Sequence, residues 1–131
     1  MDLQSLIERL QTAESPARSL DTLIAQAVGW TKKTETVKDS KTGEKKKSTL
    51  WVVPSGDDVG KVPFYTSNLQ HAYELAQTVV PSHVGGCSWE DGSGTAKING
   101  GAFVQAATPQ IALCIAALLR LKEDAEKRNP T

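Results

Sequence analysis

Thr108-Pro109-Gln110-Ile111-Ala112-Leu113-Cys114-Ile115-Ala116-Ala117-Leu118-Leu119-Arg120-Leu121 is the stretch around which the chain must be built. Thr108 can cap a helix start, and Pro109 suits a first helical turn. Ile111, Cys114, Ile115 and Leu118 fall on one face at i, i+3, i+4, i+7 spacing. Ala112, Leu113, Ala116, Ala117, Leu119 and Leu121 widen that stripe nearly all the way round. A helix apolar on almost every side is a buried one, and this run is too short for a bilayer, which needs about 20 apolar residues. The stretch therefore predicts a central packing helix.

Upstream, the chain reads as two short helices. Asp2 can cap the first, with Leu3, Leu6, Ile7 and Leu10 inward. Ser15-Pro16 restarts the chain as cap and first-turn proline, and Gly29 is placed to end the second. Composition changes at Trp30. Two strand-like runs, one from Trp30 to Lys38 and one from Lys45 to Val53, flank the turn residues Asp39 to Glu44 and predict a hairpin over 30–53. Within 32–47, seven lysines against three acids leave a local net of +4 in a chain whose Lys+Arg and Asp+Glu both number 15. This basic arm could bind anions or simply be a solvated edge whose lysines discourage strand addition.

Val59 to Pro63 reads as an irregular crossing. Ser67 with Gln70 has capping-box spacing for a third helix, with Leu69, Ala72, Tyr73 and Ala76 inward. Strands are expected at Cys87–Glu90, Thr95–Ile98 and Ala102–Gln105. The apolar helix follows, then a charged, fraying end from Lys122. The expected order is α-α-β-β-α-β-β-(β)-α in one domain of 131 residues, enough to bury roughly two-thirds of the unfolded surface. The expected class is α+β: a three-layer α/β/α sandwich around one largely antiparallel sheet of four to five strands.

Catalytic and metal signals are weak. His83 and Cys87 are four apart without a second ligand pair, where a structural zinc site wants four ligands. Ser67 and His71 share a helical face, but Ser67 is better read as a cap. No glycine-rich phosphate loop occurs. The expectation is no enzyme, no metal and no cofactor. Two cysteines, Cys87 and Cys114, do not make a secreted disulfide framework, and the amphipathic start lacks the apolar core of a signal peptide, so a cytoplasmic location is expected.

The runs Ala27-Val28-Gly29-Trp30, Leu50 to Gly56, Pro63-Phe64-Tyr65-Thr66-Ser67-Asn68-Leu69, Val79-Val80-Pro81, Trp89 and Ala106 to Arg120, in that order, resemble the phage ABA-sandwich domain. That is a family of small proteins encoded in bacteriophages and prophages. The resemblance covers nearly the whole chain. It implies an α/β/α sandwich and a bacterial host cytoplasm, with no catalytic signature to carry over.

Aromatic and cationic residues near a helix start suit a phosphate-bearing ring. The expected ligand site is Trp51 or Tyr65 stacking, with Thr66, Ser67 and Lys47 on the phosphate and Trp89 as a further aromatic. The expected function is sequestration, without turnover, of a nucleotide-derived immune signal of the host by a homo-oligomer. The alternative is an oligomeric interaction module whose hairpin blocks a host or phage protein. Nucleic-acid binding ranks lower because the net charge is zero.

Overall fold

The computed structural model describes residues 2–81, 85–98 and 101–128. In chain order the elements are α1 (Leu3–Thr12), α2 (Arg18–Ala27), β1 (Thr31–Lys38), β2 (Lys45–Val52), β3 (Val59–Gly60), α3 (Leu69–Val79), β4 (Gly85–Glu90), β5 (Ser93–Ile98), β6 (Val104–Ala106) and α4 (Pro109–Arg128). The class is α+β, with four helices and two small antiparallel sheets among the described residues.

The helix α4 organises the rest. The Thr108 hydroxyl accepts from the Ile111 amide at 3.2 Å, and Pro109 opens the helix. Every residue from Ile111 to Leu118 is buried. The helix touches α1, α3 and all three strands β4, β5 and β6. Leu6, Leu20 and Ile24 belong to the same core. Where a fraying end is expected from Lys122, α4 runs on to Arg128, and 129–131 lie outside the described residues. Its outer turns are tied by Arg120–Asp124 at 3.4 Å, Lys122–Glu126 at 3.8 Å and Lys122 Nζ to Gln4 Oε1 at 2.7 Å. Pairs at i,i+4 add a few tenths of a kcal/mol each, enough to favour continuing a helix already nucleated in the core. No helix among the described residues is long and apolar enough to cross a membrane.

Local capping explains most boundaries and one displacement. Asp2 accepts from the Ser5 amide at 2.7 Å, as its type suggests. Gly29, at φ +106°, closes α2 with the Trp30 amide on the Ala25 carbonyl (2.9 Å) and its own on Gln26 (3.3 Å). This is the two-bond helix ending that a left-handed residue permits. The start of α2 departs from expectation: Ala17, not Ser15, is the cap and uses no side chain. The start of α3 departs too, because Asn68, not Ser67, accepts from the third-residue amide, that of His71, at 3.1 Å.

The strands form two three-stranded sheets, β1-β2-β3 and β4-β5-β6, rather than one of four or five. The reason lies in their faces. All of β1 is exposed, and β2 is half-buried only at Ser48 and over Leu50–Val52, where Trp51 packs against the core. A lysine-rich ribbon has no apolar face with which to join a helix-covered sheet. In contrast, β5 alternates, with Gly94, Ala96 and Ile98 buried and Ser93, Thr95 and Lys97 outward. Gly94 is obligatory: a Cβ there would lie 2.1 Å from the Pro109 nitrogen. The crossing at Val59–Gly60 is ordered enough to pair with β2, Gly60 opposite Trp51.

The hairpin register runs from Thr31↔Val52 to Lys38↔Lys45. Its tip is held by backbone bonds between Asp39 and Glu44 (2.8 Å) and between Gly43 and Asp39 (2.8 Å), with Gly43 at φ +72°. Residues 40–44 are exposed, so replacing 39–44 by Asn-Gly is expected to change stability by no more than about 1 kcal/mol in urea unfolding. A larger loss would mean that the tip carries tertiary contacts.

Candidate functional site

The expected ligand residues fall into three separate places. Thr66 is fully buried and its polar groups are taken. Its amide donates to Asp21 Oδ1 at 2.8 Å, and its hydroxyl donates to the same oxygen at 2.7 Å while accepting from the Ala17 amide at 3.1 Å. It therefore ties Ala17, the residue before the first turn of α2, and Asp21 within α2 to the segment before α3. Tyr65 is also buried, and burial pushes its phenol up to about 12, partly offset by a hydrogen bond with Trp30. Ser67 is exposed, and its carbonyl accepts from Gln110 at 3.4 Å. Lys47 lies exposed on β2, opposite Thr36, and Trp51 is half-buried against the core four residues along the same strand. Trp89 is on β4, in the other sheet.

The neighbourhood of Tyr65 is thus a structural knot. Arg18 donates to Asp21 at 3.0 Å and to the carbonyls of Val62 (2.9 Å) and Pro63 (3.0 Å), and lies 3.9 Å over the Phe64 ring. His71 is not poised to act as a base on Ser67, because its Nδ1 accepts from the Phe64 amide at 2.8 Å. Cys114 donates to the Tyr65 carbonyl at 3.4 Å, and burial pushes its thiol far up, so it stays protonated and inert. Among the described residues no three His, Cys, Asp or Glu side chains gather as metal ligands. His83, the expectation's other candidate, lies outside the described residues.

The feature with ligand-binding geometry is on the second sheet. Its outward face is an open trough of about 590 Å³ lined by β4, β5 and Phe103. Directly opposed residues share a face of an antiparallel sheet. Gly86↔Lys97 and Ser88↔Thr95 therefore stand together on the outer side, with Gln105 beside Thr95. A Cβ at Gly86 would meet nothing within 4 Å, so glycine leaves the floor open. The Ser88 and Thr95 hydroxyls hydrogen-bond to each other across the strands. At the rim Phe103 is 77% exposed, with Lys97 Nζ 4.7 Å from its ring centroid.

Of the expected residues only Trp89 is near this feature, on the same strand but on the opposite face, 73% exposed. Lys97 and Phe103 were missed. The alternation Thr95-Ala96-Lys97-Ile98 carried a usable signal, since it places Lys97 outward whenever Ile98 is in the core. Phe103 gave none, because an aromatic beside a short apolar run reads as core. An exposed aromatic face, with an ammonium on the same sheet face as two hydroxyls and a glycine floor, can stack a ring and hold an anion beside it; among the described residues of the trough no side chain is arranged as a nucleophile with a base. No family model matches the chain, nor does any curated protein or solved structure.

Proposed function

We propose that the chain is a non-enzymatic binding protein that sequesters a small phosphate-bearing, ring-containing ligand of the nucleotide-derived class on the outer face of its second sheet. The observation that carries this reading is Phe103, an aromatic ring left to solvent with Lys97 poised over it. Phe103 stacks the ring, Lys97 takes the phosphate, and Ser88 and Thr95 offer hydroxyls. The sequence resemblance to phage ABA-sandwich proteins goes with this reading and extends it. The chain would be a three-layer sandwich protein acting in a bacterial host's cytoplasm, where removing a nucleotide-derived immune signal protects a phage.

Stacking on one aromatic is worth about 1–3 kcal/mol per base, and one exposed lysine adds little more. A nanomolar complex needs roughly −12 kcal/mol. Effective sequestration therefore calls for more than one copy of the trough, which is why the reading includes a homo-oligomer. The test is calorimetry against cyclic di- and trinucleotides and cyclic ADP-ribose isomers, with each ligand checked afterwards for cleavage. Binding without turnover is expected, weakened about tenfold or more by Phe103→Ala and to a smaller extent by Lys97→Ala, both without loss of fold. Absence of binding across the panel, or recovered cleavage products, would overturn it.

A second reading, an interaction module that blocks a host or phage protein through its hairpin, draws on the full exposure of β1, Val37 included. Trimming the tip would abolish that activity and leave ligand binding untouched.

A further inference from the structure

We infer that β4 is a dimerisation edge, to which β4 of a second copy of this chain adds antiparallel about a two-fold axis at Cys87. The inference deepens the assembly part of the reading above, and it concerns the protein without ligand.

Open strand edges invite pairing, and proteins guard them with lysines, prolines or covering elements. The β1 edge carries Lys32, Lys33 and Lys38, and the β6 edge has α1 beside it. The β4 edge, Gly85-Gly86-Cys87-Ser88-Trp89-Glu90, holds no lysine or proline and has no strand on its far side among the described residues. The hairpin closes at Glu90↔Ser93 over two turn residues, with Gly92 at φ +82°. A closing pair of that kind is hydrogen-bonded, and the pattern alternates from there. Gly86, Ser88 and Glu90 therefore direct their backbone groups to β5, while Gly85, Cys87 and Trp89 direct theirs to the open edge.

A two-fold axis normal to the sheet keeps each face continuous, so only residues of the same face can oppose each other. Centring it at Cys87 sets Cys87 against Cys87 of the second copy and Trp89 against Gly85 of that copy. All three outward-facing residues then pair, giving six backbone hydrogen bonds. The match in size is specific. Beside Gly85 on the inner side is a hollow of about 100 Å³ lined by Tyr73, Val80, Cys87 and Leu113 among others. The indole of Trp89, 73% exposed in the single chain, would come to lie over the glycine and cover that hollow. Tyr73, half exposed, borders the same place. On the outer side Gly86 would oppose Ser88 of the second copy. The two troughs then merge into one, with a Lys97 and a Phe103 from each copy, suiting a ligand that itself has two-fold symmetry, such as a cyclic dinucleotide.

The experiment is sedimentation of ligand-free protein, paired with cross-linking. Wild type is expected to sediment at twice its 14.1 kDa mass. Trp89→Lys, at an exposed position, should keep the far-UV spectrum and raise the dimer dissociation constant about 30-fold or more, as for loss of a central aromatic anchor. Ser88→Cys in a Cys87→Ser background, treated with bismaleimidoethane, should give a covalent dimer, because the two Ser88 positions flank the axis on the open face. A monomeric wild type would overturn the inference. So would a dimer that Trp89→Lys leaves intact and that Ser88→Cys fails to cross-link. Because no ligand is present, either result leaves the calorimetric test of ligand binding standing on its own.

Discussion

Truncating Leu118 to alanine is expected to lower unfolding free energy by about 2–5 kcal/mol, the range for large-to-small changes at a well-packed site. Leu118 is 0% exposed and belongs to the same core as Ile111, Ile115, Ile24 and Leu10, all equally enclosed. It belongs to the helix that touches α1, α3 and the second sheet, so the void cannot be filled by moving one neighbour. Domains of this kind have total stabilities of about 5–15 kcal/mol, which makes the variant marginal. Urea unfolding measures the loss directly. Val37→Ala, at an exposed position on the hairpin, should stay within about 0.5 kcal/mol of wild type. Equal midpoints for Leu118→Ala and wild type would remove α4 from the centre of the fold.

The second large effect is expected at Asp21. This carboxylate is 1% exposed and accepts from the Thr66 amide, the Thr66 hydroxyl and Arg18. Asp21→Ala leaves the buried Thr66 amide without its acceptor and the Thr66 hydroxyl with only the Ala17 carbonyl at 3.3 Å, and a buried donor left unsatisfied costs about 1–3 kcal/mol. The Arg18 side chain, 43% exposed, can turn to water, so the ion pair itself adds little. A loss of about 2–4 kcal/mol follows. Thr66→Ala removes only the hydroxyl and should lose about half as much. The pair also tests connectivity, because the double variant should cost less than the sum of the singles if one network is being cut twice. Additive losses would mean that Asp21 and Thr66 act separately.

These two residues also mark where the sequence stops being legible. The apolar run from Ile111 to Leu118 could hardly be anything but a buried helix, and its burial follows from composition alone. The caps at Asp2 and Thr108 and the stop at Gly29 are equally local, since each concerns atoms within a turn. Asp21 and Thr66 are 45 residues apart, and each alone looks like an ordinary surface residue. Nothing in either segment announces that the other will meet it in the core. The same limit separated the sheets. Strand patterns within 30–53 and 85–106 identify two hairpins, but whether hairpins share an edge depends on where helices α3 and α4 place them. The lysines of the first hairpin were visible; that they leave it no face to bury was the inference to draw.

The expected ligand residues lie apart for a related reason. Tyr65, Thr66 and Ser67 combine the right chemical groups at a helix start, yet Thr66 is spent on Ala17 and Asp21, and Tyr65 is buried with bonds to Trp30 and Cys114. Phe103 and Lys97 are unremarkable in sequence and become a pair only when β5 turns Lys97 outward beside it.

The most direct measurement of the central claim is amide chemical-shift mapping of ¹⁵N-labelled protein titrated with cyclic dinucleotide. The account predicts perturbations concentrated at Gly85–Ser88, Thr95–Lys97 and Phe103, and strongly weakened in Phe103→Ala. Perturbations gathered on the lysine hairpin 31–52 or at Tyr65–Ser67, with the second sheet silent, would contradict it.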